Sequence, residues 1–121
     1  MARDALCRRR VFLDLDVINS GQIWVVGSDG TLLRTTDDGV TWHAHHLPSK
    51  YQNLWLASVR FVTSTWGWVA GNDGAVFSTN DGGRTWKLES VGMSEFLRGL
   101  ASTSHSLFAV GNNGIILRRS L

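Results

Sequence analysis

The chain has 121 residues, a net charge of +2 and one cysteine. This length suits one domain with a core of its own, and a single cysteine excludes an internal disulfide. Its apolar runs are far shorter than the roughly 20 residues of a membrane-spanning helix. No nucleic-acid-binding motif accompanies the positive charge. We therefore expect neither a membrane span nor a nucleic-acid partner.

Residues 1–10 form a basic N-terminal tail, with four arginines and one aspartate. No apolar core of the about 7 to 15 residues that a secretory signal needs follows this tail. We therefore expect no export signal and, by default, a cytoplasmic location. A basic tail can contact an acidic surface, although a solvated chain end is the simpler interpretation.

Short β-forming stretches separated by turn signals fill the rest of the chain. Asp-Gly or Asn-Gly follows one strand of each group and favours a hairpin, because both turn positions tolerate positive φ. One helical turn is an option within residues 94–100. In chain order, the predicted strands are 11–18, 23–26, 31–35 and 41–46, then 57–63, 68–70, 75–79 and 85–89, and finally 98–102, 107–110 and 115–118.

Two segments, residues 35–42 and 79–86, share the pattern Thr-x-Asp-x-Gly-x-Thr-Trp and stand 44 residues apart. A pattern that recurs at such a period indicates a repeat architecture. Four antiparallel strands in about 40 to 45 residues are typical of one β-propeller blade. The predicted fold is therefore all-β, with blades at about 11–47, 56–90 and 97–121, the third of which lacks its outer strand.

Three blades make an incomplete ring, since closed propellers have about four to eight. A homo-oligomer, a larger partner or the missing part of a truncated chain could complete it. The simplest solution is a dimer that closes a six-blade ring. In that dimer the N-terminal segment of one copy could supply the missing strand of the other.

The acidic residues of the two repeated boxes are expected to hold turns rather than to catalyse. An aspartate at the start of a tight turn can accept hydrogen bonds from backbone amides two or three residues on, and glycine supplies the left-handed backbone position. The two tryptophans can then cover the hairpins. The predicted structural set is Thr35, Asp37, Gly39, Thr41 and Trp42 in the first box and Thr79, Asp81, Gly83, Thr85 and Trp86 in the second.

Two other pairs of side chains are candidates for metal binding or acid–base catalysis. His43 and His45 share a strand face, and so do Asp14 and Asp16. Two imidazoles do not complete the three or four ligands of a zinc site, and no feature of the sequence places the two carboxylates in a cleft. We therefore predict no metal, no cofactor and no catalytic residue.

The boxes resemble the Asp-box, or bacterial neuraminidase, repeat of sialidases, sortilin-type receptors, xyloglucan-active glycosidases and photosystem II assembly factors. Residues 24–39, Trp-Val-Val-Gly-Ser-Asp-Gly-Thr-Leu-Leu-Arg-Thr-Thr-Asp-Asp-Gly, are most similar to the photosystem II stability/assembly factor family. That resemblance implies a non-enzymatic propeller that binds a protein or peptide partner. The photosynthetic members hold a reaction-centre subunit precursor with a patch of arginines, and Arg34 matches an arginine of the repeat.

Loops on a rigid scaffold are the usual seat of function, and aromatic and arginine side chains suit a peptide partner. Trp55 could instead pack between blades. The predicted binding residues are Arg34, Arg60, Arg98, Tyr51, Trp55, Asn72 and Asn112.

The alternative is a sialidase- or glycosidase-like propeller fragment that acts on or binds carbohydrate. A sialidase needs three arginines, a nucleophilic tyrosine and acidic partners, yet the only tyrosine is Tyr51, in a predicted linker. A glycosidase needs two convergent carboxylates, and the sequence offers no such pair.

Overall fold

Eleven strands in three antiparallel sheets make up the fold of residues 10–89 and 91–121, which are the residues that the computed structural model describes. The predicted basic tail lies outside them, apart from Arg10. The first sheet contains β1 (Phe12–Asn19), β2 (Gln22–Gly27), β3 (Thr31–Thr35) and β4 (His43–His45). The second contains β5 (Leu56–Phe61), β6 (Gly67–Gly71), β7 (Val76–Thr79) and β8 (Lys87–Leu88). The third contains β9 (Leu97–Ser102), β10 (Ser106–Gly111) and β11 (Ile116–Ser120).

The sheets are propeller blades, and the described residues do not close a ring. Each blade runs in sequence order from its first strand to its last, and the third has three strands, so the predicted architecture is confirmed. The turns between second and third strands also have the predicted conformation. Asp29, Asp73 and Asn113 have φ of 54°, 58° and 60°, and the glycine after each also has positive φ.

Two details of the predicted secondary structure are wrong. The outer strands begin later than expected, at His43 and Lys87, because the amides of Thr41 and Thr85 are tied to the box aspartates instead of a neighbouring strand. The optional helical turn at 94–100 is absent, since β9 occupies most of it. Within the described residues the only helical turns are short 3₁₀ segments, and none is long or apolar enough to cross a bilayer.

The sheets stack face to face, and an apolar core fills each of the two joints. Trp24, Val26 and Leu32 of the first sheet pack against Val59 and Phe61 of the second. A second core joins Trp68 and Val76 to Leu97 and Leu107 of the third sheet. We call the side of a sheet that faces the next sheet its trailing side, here represented by Trp24 and Trp68, and the opposite side its leading side, represented by Val59.

Loops collect at the two ends of the stacked sheets. The turn end carries the hairpins at 28–31, 72–75 and 112–115 and the linkers that precede β5 and β9. The box end carries the two Asp boxes and the turns from first to second strands. Strands β1, β5 and β9 lie side by side across the joints, since β5 packs on β1 and β9 packs on β5.

Candidate functional site

Both Asp boxes are turns closed by one carboxylate. Oδ1 of Asp37 accepts hydrogen bonds from the amide of Thr41 at 2.9 Å and the hydroxyl of Thr35 at 2.8 Å, and Oδ2 accepts from the Thr41 hydroxyl at 2.5 Å. Asp81 repeats the pattern with the amide and hydroxyl of Thr85 and the hydroxyl of Thr79. The amides of the box glycines, Gly39 and Gly83, each donate to the first threonine of their box at 2.9 Å.

These bonds favour the charged carboxylates. The hydroxyl of Thr41, followed by its amide, lowers the pKa of Asp37 from 3.8 to about 2. Thr85 does the same for Asp81, whose pKa is also about 2. Such carboxylates accept protons poorly near neutral pH, so the geometry suits a turn anchor better than a general base.

The two box tryptophans have different surroundings. Trp86 is buried and meets the ring of Trp24 edge to face, with centroids 5.6 Å apart. Trp42 is only half-buried. The second box therefore packs on the sheet before it, whereas no described sheet precedes the first box.

Asp14 and Asp16 join the first two sheets. Oδ2 of Asp14 accepts from the amide of Val59 at 3.1 Å, and Oδ2 of Asp16 accepts from the amide of Phe61 at 2.8 Å. Ser58 continues this pattern by accepting from the amide of a residue on β9 at 3.0 Å. Strand spacing predicts that the two aspartates share a face, but it does not identify the neighbouring strand, so this role was not predicted.

The two histidines of β4 do not share an environment. His43 is exposed, whereas His45 is half-buried with its ring 4.9 Å from that of Trp24. Burial lowers the pKa of His45, and the nearby charge of Arg34 adds to the effect. Among residues 10–89 and 91–121, no three His, Cys, Asp or Glu side chains gather as a metal site would require.

The three arginines of the predicted binding set occupy three different settings. The guanidinium of Arg34 on β3 lies 5.7 Å from the ring centroid of Trp24. Arg60 on β5 donates its Nε to the hydroxyl of Ser102 at 3.0 Å. Arg98 is the second residue of β9, at the turn end, where its Nε donates to Oδ1 of Asn112 at 2.8 Å. The fold thus separates these charges rather than gathering them into one patch.

The other predicted binding residues lie at the turn end. Tyr51 is half-buried, with its ring 5.0 Å from that of Phe77. Trp55 is 41% exposed, and its amide donates to Oδ1 of Asn72 at 2.9 Å. Asn72 therefore pins the chain where it enters β5, and Asn112 holds the side chain of Arg98 at the start of β9. Trp55 is the aromatic side chain of this set that offers the most surface.

A cleft of about 520 Å³ opens between the second and third sheets near the box end. Of its lining residues, one supplies a guanidinium, one an indole and several a hydroxyl group. These are Arg60, Trp66, Thr63, Ser102, Thr103 and Ser104. Of these residues only Arg60 was predicted as a binding residue, because the others lie on separate strands and turns that only folding brings together.

The positive charge of Arg60 in this cleft has no acidic partner among the described residues. Within the described chain the only ion pair joins Arg119 to Glu89 at 3.1 Å, so no described carboxylate pairs with Arg60. The Arg119 guanidinium lies 5.8 Å from the ring centroid of Trp66 on the cleft wall. A guanidinium with spare donors beside an aromatic side chain and hydroxyl groups can bind a carboxylate or another acidic group.

The chain matches one family model and is similar to two solved structures of proteins of that name. The family model of the photosystem II assembly factor YCF48 matches residues 4–99. A solved structure of YCF48 bound to a D1 peptide has a TM-score of 0.78 and 28% identity over 90% of this chain. YCF48 from Cyanidioschyzon merolae has a TM-score of 0.75 and 24% identity, also over 90% of the chain. The chain spans 36% of the length of each. No curated protein matches it.

Proposed function

Because the chain belongs to the photosystem II assembly factor YCF48 family, we propose that it is a non-enzymatic scaffold that binds an extended segment of a protein partner. The observation that carries the proposal is the likeness to the peptide-bound YCF48 structure. The described residues form a stack of three sheets with loops at both ends, and loops on such a scaffold are a common place for binding.

The proposed contact is the cleft that contains Arg60. The Nε of Arg60 is held by Ser102, which orients the guanidinium and leaves its terminal nitrogens to donate. Trp66 supplies an aromatic surface beside it. We expect the bound segment to carry a carboxylate that pairs with Arg60 and a neighbouring side chain that lies on Trp66.

Residues at the turn end are proposed for a second contact. Trp55 is exposed there, and Arg98 lies at the start of the neighbouring first strand with its guanidinium 4.5 Å from the ring centroid of Phe96. Arginine and tryptophan are enriched in protein interfaces. A partner long enough to reach both ends would contact this pair as well as the cleft.

Fluorescence anisotropy with a labelled D1 peptide tests the proposal, with a scrambled peptide of the same composition as the reference. We expect Arg60→Gln to weaken binding by about tenfold or more, because it removes a charge-assisted hydrogen bond. Arg84→Gln is the matched control, since Arg84 is an exposed arginine of the second box outside the cleft. Equal binding by wild type and Arg60→Gln would reject the cleft, and equal binding of the scrambled peptide would reject sequence-selective recognition.

The non-enzymatic part of the proposal has its own test. The carboxylates of both boxes and of β1 accept hydrogen bonds from backbone amides of this chain. We therefore do not expect any of them to act as one of the two catalytic carboxylates of a glycosidase. We expect no turnover of a sialoside or a xyloglucan oligosaccharide by the pure protein. Hydrolysis that a single acidic substitution abolishes would overturn this expectation.

A further inference from the structure

The two joints between the sheets differ at one pair of facing positions. By their pairing with the second strand of each sheet, Asp16 of the first sheet and Arg60 of the second occupy equivalent places on their trailing sides. The residue that faces them on the leading side of the next sheet is Phe61 in the first joint and Ser102 in the second. The second joint therefore has an arginine in place of an acid and a serine in place of an aromatic ring.

In the first joint the acid and the ring close the contact between the sheets. Oδ2 of Asp16 accepts a hydrogen bond from the amide of Phe61 at 2.8 Å. The ring of Phe61 is buried and stacks on that of Trp24, with the centroids 5.5 Å apart. The chain itself thus supplies both the acceptor for this amide and the ring that fills the joint.

In the second joint the serine leaves the corresponding place open. Arg60 and Ser102 both line the cleft of about 520 Å³. They belong to the first strands of their sheets, β5 and β9, which pack on each other as β1 and β5 do. The small side chain of Ser102 accounts for an opening at a place where a ring fills the first joint.

The amide of Ser102 points across this joint. Amides two residues apart on a strand point the same way, and the amide of Leu100 donates across the joint to Oγ of Ser58 at 3.0 Å. By comparison with Asp16, the side chain placed to accept from the amide of Ser102 is that of Arg60, which has donors and no acceptor. The amide and the guanidinium thus direct their donors into the same cleft.

We propose that the cleft binds a carboxylate of the partner at the place that Asp16 fills in the first joint. One oxygen accepts from the amide of Ser102 and the other from a terminal nitrogen of Arg60. The bond from Nε of Arg60 to Oγ of Ser102, at 3.0 Å, holds the guanidinium beside this amide. The inference rests on the proposed peptide-binding function and adds to it the backbone group that recognises the acid.

A carboxylate bound in this way ties the second sheet to the third, as Asp16 ties the first sheet to the second. Binding therefore stabilises the joint, because the bound form has an acceptor that the free form lacks. The reverse also follows. Arg60→Asp supplies the acceptor from within the chain, so it strengthens the joint without a ligand and blocks the cleft.

NMR of the amide protons tests the contact, with phenylacetate as the probe and phenylacetamide as its uncharged match. We expect phenylacetate at millimolar concentration to move the Ser102 amide proton downfield in the wild type and not in Arg60→Asp. The amide of Leu100 is the internal control, since it already donates to Ser58. A Ser102 amide that phenylacetate leaves in place, or that phenylacetamide moves equally, overturns the inference.

Thermal melting tests the effect on the joint. At pH 7 we expect Arg60→Asp to melt several degrees above its neutral match, Arg60→Asn, because a carboxylate is the stronger acceptor for the amide of Ser102. Asp16→Asn, which weakens the same bond in the first joint, is expected to lower the melting temperature by a similar amount. If Arg60→Asp melted at or below Arg60→Asn, the two positions would not be equivalent and the proposal would fail.

The labelled D1 peptide identifies the source of the carboxylate. One modified peptide carries a C-terminal amide, and a second has every acidic side chain replaced by the corresponding amide. The peptide that no longer moves the Ser102 amide proton is the one that has lost the bound group. A shift that survives both changes in one peptide overturns the inference.

The same measurements separate this inference from the proposed function. If Arg60→Gln weakens binding of the D1 peptide but the peptide does not shift the Ser102 amide, the inference is wrong and the proposed function stands. If phenylacetate shifts the Ser102 amide but the D1 peptide does not bind, the inference is supported and the proposed function is rejected.

Discussion

Gly83 in the second box lies directly against the indole of Trp24 in the first sheet, so that a β-carbon at Gly83 would overlap Cζ2 of the ring. The residue also has a φ of +87°. Gly83 therefore meets two separate requirements: the turn requires a positive φ, and the joint between the sheets requires a residue without a β-carbon. The same contact covers part of the Trp24 ring, and the Trp24 side chain is fully buried.

Substitution of this glycine separates the two requirements. Gly83→Ala is expected to destabilise the fold by about 2–4 kcal/mol, from the strained φ and from overpacking against the indole. Gly82→Ala is the control, because Gly82 has a φ of +72° but its nearest neighbour would be 3.6 Å from the added carbon. We expect it to cost about 1 kcal/mol from strain alone. Urea unfolding measures both, and equal losses would show that the contact with Trp24 is unimportant.

Acid should weaken the fold through the two boxes. The folded pKa of Asp37 and of Asp81 is about 2, below the ordinary 3.8. Their contribution to stability is therefore complete above pH 3.8 and is lost as the pH falls towards 2. Thermal melting between pH 5 and pH 2 should show this decline. The double variant Asp37→Asn with Asp81→Asn is expected to melt lower at pH 5 and to change less with pH.

A control with Asp73→Asn removes one exposed carboxylate from a turn of positive φ without touching a box. It is expected to keep the pH dependence of the wild type. If the double box variant melted at the wild-type temperature at pH 5, the two aspartates would not be structural anchors.

His45 gives a second dependence on pH, in a higher range. Its folded pKa lies below 6.5, mainly because it is half-buried beside Trp24. The unfolded chain then binds a proton more readily, so stability should fall as the pH drops below 6.5. His45→Gln is expected to reduce the fall in melting temperature between pH 7.5 and pH 5, and His43→Gln, on the exposed side of β4, is expected to leave it unchanged. An equal effect of both substitutions would contradict the assignment.

Ser58 links all three sheets. Its hydroxyl donates to Oδ2 of Asp14 at 3.0 Å and accepts from the amide of Leu100 at 3.0 Å. Ser58→Ala should cost about 1–3 kcal/mol, because it removes the acceptor of the Leu100 amide inside a joint. Ser78→Ala is the control, since Ser78 is a half-buried serine of the same sheet whose side chain makes no hydrogen bond among the described residues.

A double-mutant cycle between Ser58→Ala and Asp14→Ala measures the coupling of this relay. We expect an interaction free energy of about 0.5–2 kcal/mol, as for residues within one hydrogen-bonded network. Additive losses would mean that the two side chains stabilise the sheets separately.

The sequence by itself determined the strands, their turns and the boxes of this protein. These features depend on local chemistry. The turns need positive φ at residues such as Asp29 and Gly30, and each box needs a carboxylate within reach of the amides of its own turn. The sequence repeat then predicts equivalent strands in each blade. The outer strands came out shorter than predicted because the same local hydrogen bonds take the amide of Thr41 away from the ladder.

Only the tertiary structure decided which residues of different blades meet. Alternation along a strand tells which side chains share a face, but not which sheet lies opposite that face. The predicted binding arginines Arg34, Arg60 and Arg98 therefore proved to lie in three settings, and Asp14 proved to hold the strand of the next sheet. The cleft beside Arg60 also depends on how the sheets stack. Its walls come from the second and third sheets, and the sequence gives no indication of which of their residues come into contact.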